Sequence, residues 1–198
     1  MTTILAAQGD SWAVIGFDSL VSDEGGRSMT LATGSAKVVK SGQYLIGAAG
    51  DVRAINILSH VFTPPKVGDL VGVRLDKFVT SKFVPALRTC FEEQGYAPKE
   101  AKERATYGSV IIMVVNGTVY EIDEDYSWAR TASSVYAAGT GSDYALGAVY
   151  ALLKSDTPNI LGIEKTKKIV RECVSIAAKL DGSSGPPVHV LHQTSPTR

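Results

Sequence analysis

A chain of 198 residues, 44% hydrophobic and 20% charged, has globular proportions and is long enough for one domain burying about 70% of the surface its unfolded form exposes; disordered, collagen-like and coiled-coil readings are excluded. Twenty Lys and Arg balance twenty Asp and Glu, so no overall positive field gathers a phosphate backbone, and nucleic acid is not an expected partner. Cys90 and Cys173 lie far apart in apolar stretches without a CxxC pair and read as buried thiols in a reducing compartment. The opening residues lack the basic and apolar regions of a signal peptide, and no apolar run approaches the roughly 20 residues of a membrane span. A single cytoplasmic domain over residues 1–198 is the expectation.

In chain order, residues 3–7 and 12–17 are β-prone runs around Gly9, Asp10 and Ser11, a hairpin signal. Residues 22–27 form a polar, Gly-rich loop, and a second hairpin joins residues 37–40 to 44–48 through Ser41-Gly42-Gln43. After Gly50 the apolar period lengthens: Val52, Ile55, Leu58 and either Ser59 or Val61-Phe62 recur at helical steps until Pro64-Pro65, which ends the helix. A longer helix carries Leu75, Phe78, Val79, Phe83, Leu87, Cys90 and Phe91 on one stripe, and Pro85 is expected to kink or divide it. Residues 108–115, Asn116-Gly117 and residues 118–122 make a third hairpin whose first strand is apolar on both faces. Residues 134–138 read as a strand, and Gly139-Thr140-Gly141-Ser142-Asp143 leads into a helix over residues 144–153 with Ser142 or Asp143 as its cap. Residues 164–180 form the last helix and residues 188–192 the closing strand.

Hairpins dominate and the helices fall into two segregated pairs. The expected class is α+β: a four-layer αββα sandwich of two mainly antiparallel sheets flanked by helix pairs. Periodicity alone leaves a single-sheet α+β domain open.

Several stretches look chemical on weak grounds. Gly139-Thr140-Gly141 lacks the third glycine of a dinucleotide fingerprint. His189 and His192 project from opposite faces of a strand, only His60 stands elsewhere, and no metal-ligand spacing or Gly-x-Ser-x-Gly elbow accompanies them. No metal and no cofactor are expected. The N-terminus remains. Removal of Met1, which the small residue after it permits, leaves Thr2 with a hydroxyl and a free α-amine on one residue. An amine titrating near ~8 is partly neutral at cytosolic pH and can take the hydroxyl proton. Such a nucleophile needs a nearby cation, a carboxylate to hold it and backbone N–H donors for the oxyanion. Asp18 ends the strand paired with the Thr2 strand, Lys37 opens the next hairpin, and Gly47 begins the run Gly47-Ala48-Ala49-Gly50. Singly, these three are a strand-end turn residue, a solvated strand charge and a packing glycine.

Together the motifs carry a resemblance. Thr2-Thr3-Ile4 through Gly16-Phe17-Asp18, then Gly34-Ser35-Ala36-Lys37-Val38, Ile46-Gly47-Ala48-Ala49-Gly50-Asp51, Gly139-Thr140-Gly141-Ser142 and Asp181-Gly182-Ser183-Ser184-Gly185 resemble a proteasome β subunit or its HslV-type bacterial relative. These are N-terminal-nucleophile (Ntn) hydrolases with the αββα fold, and the likeness runs from Thr2 to about Leu191. It implies Thr2 as nucleophile and, through its amine, general base; Asp18 and Lys37 as the supporting ion pair; and the Gly47 N–H as oxyanion donor. Ser142, Asp181 and Ser184 would make the polar network around the amine, where the plainer roles are a helix N-cap and a helix C-terminal turn. The late Asp-x-x-Ser-Gly and the serine after Gly-Thr-Gly resemble the proteasome β subunit more than HslV.

The resemblance also implies Leu45 as floor of the pocket for the side chain preceding the scissile bond, with Val21, Ser35, Val39, Ala49 and Arg53 as walls. An aliphatic floor implies apolar side chains, whereas Arg53 would favour acidic ones. The stretch between Asp18 and Lys37, with Asp23-Glu24-Gly25-Gly26, looks a few residues longer than in the family. No propeptide beyond Met1 is expected, as in HslV-type enzymes. The implied function is a threonine peptidase cleaving unfolded proteins or peptides through an acyl-enzyme on Thr2, inside a stacked homo-oligomeric ring that an ATP-dependent unfoldase feeds. Two alternatives stand beside it: a dormant ring scaffold retaining Met1, and a small-molecule amidase of the same superfamily.

Overall fold

The apolar alternation of the first residues folds as expected into β1 (Ile4–Gln8) and β2 (Trp12–Phe17), an antiparallel hairpin in which Ile4 faces Phe17. This computed structural model describes residues 2–22, 25, 27–32, 35–96, 108–153 and 156–196. Met1, Gly34 and three residues of the Gly-rich loop, Asp23, Glu24 and Gly26, lie outside the described residues. On either side of that loop β3 (Leu20–Ser22) and β4 (Ser28–Thr30) pair with each other. The sequence expectation had no strands here, since three-residue strands, half-buried in β3 and exposed in β4, leave no apolar period to read.

β5 (Val38–Ser41) and β6 (Tyr44–Gly50) form the second hairpin, followed by α1 (Val52–His60), which Asp51 caps by accepting the Arg53 N–H. The long helix is α2 (Val73–Phe78), a π-turn (Val79–Phe83) and α3 (Val84–Glu93). Pro85 does not divide it. A proline within a helix lacks one N–H and presses on the carbonyl four residues earlier, and the wide turn just before it relieves both conflicts. Leu75, Val79, Phe83, Leu87 and Phe91 all remain fully buried.

β7 (Ser109–Val115) and β8 (Thr118–Ile122) turn at Asn116 and Gly117, whose φ angles of 48° and 72° are the left-handed pair such a turn requires. The two-residue β9 (Trp128–Ala129) was not foreseen and pairs with β8. β10 (Val135–Ala138) precedes α4 (Ser142–Leu153), so Ser142 is the first helical residue rather than a cap outside it. The last helix, α5 (Pro158–Leu180), starts earlier than expected and is broken at Gly162, where φ is 72° and ψ 171°. β11 (His189–Thr194) closes the chain against β2.

The strands form two antiparallel sheets, ordered β10-β1-β2-β11 and β5-β6-β7-β8-β9. Three apolar layers hold them. Ile4, Ile15, Phe17, Leu45, Ile112 and Val114 fill the space between the sheets. Ile46, Ile111 and Met113 point the other way, onto Phe83, Leu87 and Phe91 of the first helix group. Leu5, Val14, Val149, Val170 and Val174 join the first sheet to α4 and α5. Adjacent residues of β1 and β7 serve opposite layers, which is why those strands are apolar on both faces. The result is the four-layer αββα sandwich, each buried aliphatic side chain contributing about 1.5–3 kcal/mol. Cys173 is buried, and burial pushes its thiol up to about 12; Cys90 is only half-buried, and burial raises its thiol too. Among the described residues no helix is long and apolar enough to cross a membrane.

Candidate active site

Pairing of β1 with β2 sets Thr3 opposite Asp18, where the strands run out. The Asp18 N–H donates to the Thr3 carbonyl at 3.2 Å, and the Thr3 N–H donates to Asp18 Oδ1 at 2.9 Å. Lys37, just before β5, reaches the same oxygen with its Nζ at 2.7 Å. The second oxygen, Oδ2, accepts the N–H groups of Leu20 at 3.0 Å and Gly185 at 2.9 Å. Four donors thus converge on one buried carboxylate, the satisfaction that a charge inside a protein requires. Burial lowers the pKa of Lys37, and the attraction of Asp18, the bond to it and the charge of Asp181 only partly oppose that. An ammonium so poised beside the start of β1 favours negative charge on a neighbouring oxygen.

A second network meets the first at Thr3. Its hydroxyl lies 2.7 Å from Ser184 Oγ, and Ser184 Oγ donates to Asp181 Oδ2 at 2.6 Å. A hydroxyl has one proton, so Thr3 donates to Ser184. Thr140 Oγ1 donates to the same Asp181 oxygen at 2.7 Å, and the Ser183 N–H reaches Oδ1 at 3.2 Å. Burial acts to raise the Asp181 carboxyl, but the bonds from Ser184, Thr140 and Ser183 prevail and hold it below its ordinary range.

The Gly-Thr-Gly segment now has a physical explanation. A side chain on Gly139 would strike the Thr2 carbonyl, and one on Gly141 would strike the Thr3 hydroxyl. The Gly141 N–H donates to Thr2 O at 3.3 Å. Between them Thr140, which the sequence analysis did not single out, faces Asp181. Ser142 lies beyond, half-buried at the head of α4, its N–H donating to Gly139 O at 3.1 Å. The signal for Thr140 was its flanking glycines, which let backbone lie against backbone.

Gly47 sits mid-strand, opposite Val38 and Ile112. A Cβ there would come within 2.8 Å of Val38 Cγ2 and 2.9 Å of Ile4 Cδ1, so its glycine is explained by packing. The Ala48 N–H donates to Lys37 O at 3.4 Å. Strand N–H groups alternate sides, so that of Gly47 faces β7, while that of Gly50 faces the Lys37 side beyond the first residue of β5. Gly50 has φ of 137° and lines, with Gly139, Thr140, Val21 and Ala49, a cavity of about 1090 Å³.

A neighbouring cavity of about 350 Å³ shares Val21 and Val52 with the first and takes in Ser35 and Val39. Four of the pocket residues expected from sequence therefore line one cavity or the other. Two do not. Leu45 packs between the sheets, and the Arg53 guanidinium donates to Gln94 O at 2.5 Å on the helical surface.

The comparisons agree with the architecture. BPH of Thiobacillus denitrificans superposes with a TM-score of 0.74 and 22% identity, covering 99% of this chain and 100% of that one. A structure of the same protein in complex with epoxomicin gives the same values. HslV from Trypanosoma brucei superposes with a TM-score of 0.63 and 21% identity, covering 98% and 99% of the two chains. No family model matches the sequence, and no curated protein is significantly similar to it. The likeness lies in the fold: this chain has the αββα architecture of the proteasome-like proteins.

Proposed function

We propose that this chain is an N-terminal threonine peptidase that hydrolyses peptide bonds in unfolded proteins or peptides once Met1 is removed. The observation that carries this reading is the buried Lys37–Asp18 pair bonded to the residue next to Thr2. Nothing in packing alone calls for an ammonium there. In the reaction the neutral Thr2 amine takes the proton of its own hydroxyl as Oγ1 attacks the substrate carbonyl carbon, and the Lys37 charge steadies the alkoxide. The carbonyl oxygen becomes an oxyanion facing the Gly50 N–H. Collapse breaks the C–N bond, and the proton held by the amine passes to the leaving nitrogen, leaving an ester on Thr2. Water, losing a proton to the same amine, attacks the ester; the acid leaves and the hydroxyl is restored. Asp181, Ser184 and Thr140 orient the amine and hold Thr3 beside it. The epoxomicin complex of a protein with this fold supports the same chemistry.

On this reading the chain works in the cytoplasm as a stacked homo-oligomeric ring fed by an ATP-dependent unfoldase. Tyr144, Tyr150 and Leu152 on α4 and Ile160 and Leu180 on α5 are exposed apolar side chains on one outer layer, which supports self-association. The test combines intact mass with labelling by a peptide boronate or epoxyketone. A chain beginning at Thr2 that cleaves unfolded protein, is labelled, and loses both properties on Thr2→Ala is the expected result. Retention of Met1 without labelling makes the chain a scaffold, and hydrolysis of small amides alone makes it an amidase.

A further inference from the structure

β6 and β7 end in register at Gly50 and Ser109. A side chain on Gly50 would strike Gly108 O and Ser109 Oγ, so only glycine lets the strands approach this closely there. At the next residue the ladder changes character. The Asp51 N–H lies 3.4 Å from Gly108 O, a long strand bond, but 3.0 Å from Ser109 Oγ, so a side chain takes over where the backbone pairing gives out. Ser109 is 1% exposed and stands behind Gly108, which lines the larger cavity. Its Oγ lies 2.9 Å from the Tyr96 hydroxyl, one of the two donating to the other. Tyr96, just beyond α3, packs its ring edge-on against Phe91 at a centroid distance of 5.0 Å.

These bonds bracket Gly50. Before it, Ala49 is held in register with Val110; after it, Asp51 is tied through its N–H to Ser109 and through its carboxylate to the start of α1. The Gly50 φ of 137° is a torsion that an unanchored glycine leaves readily. With the peptide planes on both sides anchored, the direction of the Gly50 N–H is set, and a donor stabilises an oxyanion only when it is aimed beforehand. We propose that Ser109, steadied by Tyr96, is a positioning residue that aims the Gly50 N–H at the oxyanion. The inference rests on the peptidase reading above and adds to it a residue outside the reacting groups.

The experiment uses the Thr2-initiated full chain with three probes: a peptide substrate, the matching peptide aldehyde and the matching peptide alcohol. The aldehyde forms a tetrahedral adduct whose oxygen needs the aimed N–H, whereas the alcohol has no carbonyl oxygen to present. Loss of an oxyanion donor costs about a hundredfold to a thousandfold, so one merely misaimed by Ser109→Ala should cost about tenfold in kcat/KM. The aldehyde Ki should rise by the same factor while the alcohol Ki stays level. Tyr96→Phe, which keeps both the serine and the ring on Phe91, should show the same pattern at about threefold, and it decides the matter if Ser109→Ala does not fold. An unchanged aldehyde Ki, or equal weakening of aldehyde and alcohol, overturns the positioning role and leaves the peptidase standing. A parent chain that cleaves no peptide overturns the peptidase reading and this inference with it.

Discussion

Lys37 Nζ lies 2.7 Å from Asp18 Oδ1, and neither side chain has any exposed surface. Removing one partner of such a pair leaves a buried charge unmatched, which costs about 3–5 kcal/mol. The two partners are not equivalent. Lys37→Ala strands one carboxylate that still accepts three N–H groups, whereas Asp18→Ala strands the ammonium and the N–H groups of Thr3, Leu20 and Gly185 together. Urea unfolding should therefore show Asp18→Ala as the more destabilised variant, and Lys37→Met, which keeps the fold better, should still be inactive against peptides. Equal losses for the two alanine variants would count against the geometry.

Thr140 and Ser142 offer a direct contrast. Thr140→Ala takes one hydroxyl from Asp181, and since Thr140 is exposed the bond is worth about 1 kcal/mol, so peptide hydrolysis should fall about fivefold. Thr140→Ser should restore most of it. Ser142→Ala should stay within about twofold of the parent, as changes outside such networks usually do. Steady-state kcat/KM of the three variants decides the matter.

The pH dependence of stability isolates Asp181. Its folded pKa lies below the ordinary 3.8, so the native state binds fewer protons there than the unfolded chain. The stabilisation is complete above that ordinary value and is lost as pH falls through the folded one. The difference in unfolding midpoint between the parent and Asp181→Asn should accordingly be constant from neutrality to about pH 5 and shrink below it. A difference that stays level into strong acid would show that Asp181 does not hold its charge through these bonds.

The oxyanion donor can be located by crystallography. In an adduct of Thr2 with a peptide aldehyde, the former carbonyl oxygen should lie about 3 Å from Gly50 N and out of reach of Gly47 N. Gly47→Ala should act through packing instead, costing about 1–3 kcal/mol by crowding Val38 and Ile4.

The layers were legible because their signals are local and strong. Asn116-Gly117 can make little but a tight turn, and α1 follows the 3.6-residue period from Val52, although it stops at His60, short of the two prolines expected to end it. The ion pair was legible as an order of residue types along the chain, although only pairing of β1 with β2 brings Asp18 onto Thr3. Positions within β6 were less accessible. Side chains there alternate between two apolar layers, so Leu45 belongs to the space between the sheets and Ala48 to the helix side; an error of a few residues changes both face and N–H direction. Thr140 and Ser142 are both hydroxyl residues near a glycine, and only the docking of Gly139 and Gly141 onto the first two residues of the sheet distinguishes them.

The π-turn before Pro85 gives the α2–α3 segment an unusual sensitivity to length. Residues four apart on an α-helix drift about 40° around its axis with each step, and a wider turn takes part of that drift back. The Leu75-to-Phe91 stripe repeats every fourth residue and stays buried throughout. Losing a single residue between Val79 and Phe83 would tighten the coil and rotate everything beyond it by about 100°, swinging Leu87 and Phe91 toward water. Exchanging the proline for alanine should be the gentler lesion of the two, because the gear ratio of the helix lies in its residue count and not in its ring.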